Sequence, residues 1–98
     1  MNQYIVTINL PENPSIEYMS LIPLQRDHIN NLMVEGFITN ISLSEDRTKL
    51  WINMTAESES EISSMLRQFP MIKFMTYEIT KLFFHFSFTN ILPQMSLN

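Results

Sequence analysis

Residues 69–86 read FPMIKFMTYEITKLFFHF, and the order of signals in this stretch decides the fold. Pro70 directly follows an amphipathic helical pattern and ends it, because proline has no N–H to donate and disfavours helical geometry in the residue before it. The thirteen residues from 74 to 86 are rich in aromatic and β-branched side chains and close on His85-Phe86. That is long for one half-buried strand. The pattern predicts a final strand that runs past its own sheet and meets another chain.

Upstream of Pro70, Ile62, Met65, Leu66 and Phe69 recur at helical spacing, which predicts their burial against a sheet. Ser58 with Glu61 forms a capping-box signature at the start of that helix. Glu57, Glu59 and Glu61 suit its dipole. Before it, Lys49 to Thr55 reads as a strand with Leu50, Ile52 and Met54 opposite Trp51, Asn53 and Thr55. Ser44 to Thr48 is a polar turn of hairpin length. Phe37 to Leu43 alternates too, with Phe37, Thr39, Ile41 and Leu43 on one side. Glu35-Gly36 reads as a helix end, with glycine supplying the left-handed position.

The helix ending there begins near Pro14, a favoured first position, with Asn13 as its cap. Pro23 lies inside it and predicts either a kink near Met19–Ile22 or two helical pieces. The Pro11–Pro14 break separates it from a first strand, Gln3 to Leu10. There Tyr4, Val6, Ile8 and Leu10 share one face, with Ile5, Thr7 and Asn9 on the other.

The order is therefore β-α-β-β-α-β, an α+β, ferredoxin-like arrangement of a four-stranded antiparallel sheet with two helices on one face. The other face needs cover, most simply from a second copy packed sheet against sheet, giving a homodimer or a larger homo-oligomer. Residues 1–86 form one domain. Residues 87–98 read as a tail whose Phe88, Ile91, Leu92 and Met95 are expected to dock on a neighbouring subunit.

Composition sets outer limits. Six Lys and Arg against ten Asp and Glu give a net charge of -4, which argues against a nucleic-acid surface. The chain has no cysteine, so a disulfide framework, a thiolate nucleophile and a cysteine metal site are excluded. The first ten residues alternate polar and apolar without a basic start, which does not support a signal peptide. No run approaches the length of a membrane span. A soluble cytoplasmic protein with no membrane partner is the expectation. Gly36 is the only glycine, which argues against a glycine-dependent phosphate cradle.

Chemistry-bearing candidates gather on the first helix. Leu21, Gln25, His28 and Leu32 fall on one stripe, and two polar groups aimed at a core are costly unless they are paired or line a cavity. His28 is read either as a hydrogen-bonded residue at the stripe's edge or as a proton shuttle, since an unperturbed imidazole titrates near neutrality. Arg26 is rotated about 100° around the helix. It either faces solvent near Asp27 or snorkels to a pocket mouth and holds a carboxylate. Tyr4 and Trp51, with Tyr77, are core or interface aromatics, or the lining of an apolar pocket. His85 is an interface histidine or a site group near a subunit boundary. With no closely spaced ligand pair, no metal is expected.

Residues 3 to 86 resemble the muconolactone isomerase family of small dimeric α/β barrels. The match rests on Glu35-Gly36, Ser58, Gln68, Pro70, Met75, Glu78 and His85, with Arg26-Asp27 keeping a basic–acidic pair. Gln25 stands where an acidic residue looks typical of the isomerases. The resemblance implies a proton shift between carbons of a small unsaturated lactone or carboxylate, with neither metal nor organic cofactor. In that scheme His28 shuttles the proton, Arg26 anchors the substrate anion and Gln25 donates to the developing oxyanion. Tyr4, Trp51 and His85 line the pocket. The alternatives are a non-catalytic small-molecule-binding barrel and a structural, oligomer-forming protein.

Overall fold

The computed structural model describes residues 1–84. His85 and the tail at 87–98 lie outside the described residues. The elements follow in the order β1 (Asn2–Asn9), α1 (Ile16–Val34), β2 (Ile38–Leu43), β3 (Lys49–Ala56), α2 (Glu59–Leu66), a single 3₁₀ turn (Ile72–Phe74) and β4 (Thr76–Leu82). The four strands form one antiparallel sheet in the order β2-β3-β1-β4.

Alternation in β1 and β3 sorts the side chains as their sequences imply. Tyr4, Val6 and Ile8 pair with Met54, Ile52 and Leu50, and all six are buried on the helix-bearing face. The helices close this core with Ile29 and Leu32 from α1 and Ile62 and Leu66 from α2; Phe69, just beyond α2, completes it. Met65 is only half-buried and packs against the same cluster. The opposite face carries Ser42, Trp51, Thr7 and Glu78 in one row across the strands, with Ile5 between Asn53 and Thr80 in the next. No element of the described chain covers it.

Ser58 caps α2, accepting the Glu61 backbone N–H at 3.3 Å. Gly36 sits just past α1 at φ 88°, the left-handed conformation that costs other residues about 1–2 kcal/mol. The start of α1 differs from the sequence expectation. Ser15, not Asn13, is the cap, its hydroxyl accepting the Tyr18 N–H at 3.1 Å. Pro14 therefore lies outside the helix. Pro23 sits inside α1 without dividing it.

Two further differences concern strands. The sequence pattern puts Phe37, Thr39, Ile41 and Leu43 on one side of β2, but the register shifts between Ile38 and Asn40. This bulge adds one residue and inverts the alternation before it. Ile38, Ile41 and Leu43 are thus the side chains facing the helix side, opposite Met54, Ile52 and Leu50. The final strand is also shorter than the thirteen-residue run suggests. Residues 72–74 turn, and the ladder stops at the pair Gln3–Leu82, one residue short of the start of β1 at Asn2. Phe83 and Phe84 are exposed beyond it.

Candidate functional site

A cleft of about 740 Å³ opens between α1 and the β2 side of the sheet. It exists because β2 is an edge strand whose second half, unlike the buried Ile38 at its start, is incompletely covered. Ile41 and Leu43 point to the helix side yet remain 39% and 53% exposed, and Met19 and Met33 on the facing side of α1 remain 55% and 38% exposed. Leu50, Ile29, Met71 and Met75 form the deep wall. The Pro11–Pro14 segment and the β2–β3 turn close one end. They meet there because Leu10 donates its N–H to the Thr48 carbonyl at 2.8 Å.

Polar groups on this apolar cleft are few. Gln25 is only 8% exposed and reaches it from mid-helix. Its Oε1 accepts the Met71 backbone N–H at 3.1 Å, and its Nε2 lies 3.9 Å from the Met75 sulfur. Proline at 70 and the 3₁₀ turn after it leave Met71 without a ladder partner for its N–H, so the glutamine amide satisfies a buried donor. The same bond fixes the amide's orientation and turns its NH₂ end toward a weak sulfur acceptor. The second N–H of that NH₂ has no partner among the described residues.

Arg26, Arg47, Glu12 and Asp46 stand on the cleft as charged groups. Asp46 is occupied by the turn: its Oδ1 accepts from Ser44 Oγ (2.7 Å), Thr48 N–H (3.0 Å) and Thr48 Oγ1 (2.8 Å). These hydrogen bonds, the Ser44 bond foremost, hold its carboxyl below the ordinary value. They also brace Arg47, which adopts φ 63° in the same turn. Among the described residues neither Arg26 nor Arg47 has an ion-pair or side-chain hydrogen-bond partner. Tyr18 lines the cleft with its ring edge-on to Phe74 at 5.5 Å, and burial pushes its phenol up, so it remains a neutral donor.

A family model described as muconolactone delta-isomerase matches residues 3–87. The chain belongs to the muconolactone delta-isomerase family. A solved crystal structure of muconolactone isomerase superposes with a TM-score of 0.70 at 18% identity, covering 87% of this chain and 92% of that one. At that identity the likeness shows the fold. A search of curated proteins returns no match.

Set within this family's fold, the residues singled out from sequence separate. Gln25 and Arg26 reach the cleft together. His28 does not: its ring packs edge-on against Phe69 at 5.1 Å, with a buried Nε2 that has no partner among the described residues. Tyr4 is 2% exposed within the core. Trp51 pairs with Thr7 on the uncovered face, so the sheet itself lies between it and Tyr4. His85 lies outside the described residues. No group of three His, Asp or Glu side chains among them is placed to hold a metal ion.

Glu12, Tyr18, Arg47, Ile41 and Leu43 are cleft residues that residue-by-residue reading passes over. Topology supplies the signal. In a β-α-β-β arrangement the end of the first strand and the first hairpin turn fall at the same end of the sheet. A loop with Glu12 and a turn with Asp46-Arg47 therefore converge. No helix among the described residues is long and apolar enough to cross a membrane.

Proposed function

We propose that this protein takes up a small unsaturated lactone or carboxylate in the cleft between α1 and β2, and isomerises it by moving one proton without a cofactor. The observation that carries the reading is the pairing of an apolar cleft with guanidiniums that have no ion-pair partner among the described residues, Arg26 foremost. Family membership supplies the reaction class. Arg26 anchors the substrate carboxylate through its planar fork. The Gln25 NH₂ and the Tyr18 hydroxyl donate to the carbonyl oxygen as charge builds on it, and donors already fixed in place cost little reorganisation.

The base is the exacting requirement. Asp46 is held ionised by its three hydrogen bonds and is a poor proton acceptor, and His28 packs away from the cleft. Glu12 is the remaining carboxylate on the lining. In this reading it takes the proton from one carbon and returns it to another, leaving the enzyme unchanged.

One observation favours the second reading, binding without catalysis: Glu12 is exposed at the cleft rim, where water competes for its carboxylate and it is not held in one place against a substrate carbon. The test is a muconolactone isomerisation assay beside calorimetric titration of the same lactone, on wild type and Glu12→Gln. The proposal expects turnover in wild type, slowed about 10²–10⁴-fold in the variant with binding retained. Binding without turnover in wild type moves the function to the second reading. Absence of both overturns the assignment of the cleft.

A further inference from the structure

The cleft is larger than a small lactone needs, and its shape says what else it fits. Met19, Ile22, Arg26 and Met33 all line it from α1. Residues 19 to 33 of a helix span roughly 21 Å at 1.5 Å per residue, so the cleft is a long furrow and not a compact pit. A lactone of six carbons covers only part of that length. The remainder of the wall is apolar, and Met19, Met33, Met71 and Met75 supply flexible thioethers that adapt to a chain of varying shape.

We propose that the cleft's preferred ligand is an amphipathic monocarboxylate: a carboxylate head at Arg26 with an extended apolar tail lying along the furrow between α1 and β2. This rests on the reading that the cleft binds an organic acid, and adds the tail. Arg26 is the head site because it lines the furrow from the same helix as Met19, Ile22 and Met33, whereas Arg47 stands on the β2–β3 turn that closes one end. The tail side is set by Ile41 and Leu43, large apolar groups left in contact with water. Covering them supplies the driving force for binding.

The experiment is calorimetric titration of the full-length protein with n-alkanoates from butanoate to dodecanoate, each below its micellar concentration. The matching 1-alkanols and muconolactone are run beside them. Affinity should rise about fourfold per methylene, the increment for burying one CH₂, through at least decanoate. Each acid should bind more tightly than its alkanol, and Arg26→Gln should remove that difference while keeping the chain-length dependence. Leu43→Trp, an exposed edge-strand position, should halt the rise at shorter chains by filling the furrow. Affinity that levels off by hexanoate while the lactone still binds overturns the tail and leaves the cleft's function standing. A chain-length rise unaltered by Leu43→Trp also overturns it, since the tail then lies elsewhere. No binding by the lactone or any acid overturns both readings.

Discussion

Gln25 joins α1 to the approach to β4, and its removal should be felt as a loss of stability. In Gln25→Met the chain length and much of the apolar contact are kept, while the acceptor for the Met71 N–H is lost. Met71 is 4% exposed, so water does not replace that acceptor. Leaving a buried donor unsatisfied costs about 1–3 kcal/mol, more than the net worth of an ordinary hydrogen bond. The sulfur contact of Nε2, long at 3.9 Å, adds little. A central value of about 2 kcal/mol corresponds to a fall of about 8–16 °C in Tm for a domain of this size. Urea unfolding at fixed protein concentration, followed by circular dichroism, reads the same quantity as a midpoint shift of roughly 1 M with an unchanged slope. A variant within about 0.5 kcal/mol of wild type would refute the reasoning, since surface-like substitutions cost no more.

Ser58→Ala should destabilise the fold by about 0.5–2 kcal/mol through loss of the α2 cap, read in the same unfolding experiment. Asp46 has a folded pKa below its ordinary 3.8, so its contribution is complete above that value and is lost as pH falls through the lower, folded one. Asp46→Ala should therefore be less stable than wild type at neutral pH, and the two should converge in strong acid; urea midpoints across pH check this. The uncovered sheet face around Ile5 and Trp51 should be buried in a homo-oligomer, so light scattering at micromolar concentration should give a mass at least twice the 11.6 kDa chain. Trp51→Glu should return it toward that mass.

Most of the fold is legible in the sequence because its signals are local. Ser58, Gly36 and Pro70 each act on backbone within a few residues of themselves, and the alternation of β1 and β3 reports their two faces directly. What escapes is set at a distance. The β2 bulge adds a residue that no local pattern marks, and it decides that Ile38, Ile41 and Leu43 share a face. Pro23 is carried at an exposed position inside a continuous α1, and the local sequence does not distinguish that outcome from a broken helix.

The site was less legible for the same reason. Gln25 and His28 look alike on a helical stripe, yet Gln25 meets the Met71 N–H and His28 meets Phe69. Their partners are more than forty residues away. Tyr4 and Trp51 were separable in principle. The antiparallel register pairs Tyr4 with Met54, and Trp51 is an odd number of residues from Met54, which puts it on the other face. Glu12, Arg47 and the exposed Ile41 and Leu43 become a cleft only once the loops at one end of the sheet are brought together.

The central claim is that the furrow between α1 and β2 is the ligand site, and the methionine methyl groups test it most directly. With ¹³C-labelled methionine methyls, titration of muconolactone or decanoate should shift Met19, Met33, Met71 and Met75 with one shared saturation curve. Met65 on α2, away from the furrow, should stay in place as the internal control. Saturable shifts at Met65 or Met54 with Met19 and Met33 unmoved would place the site elsewhere and contradict the account.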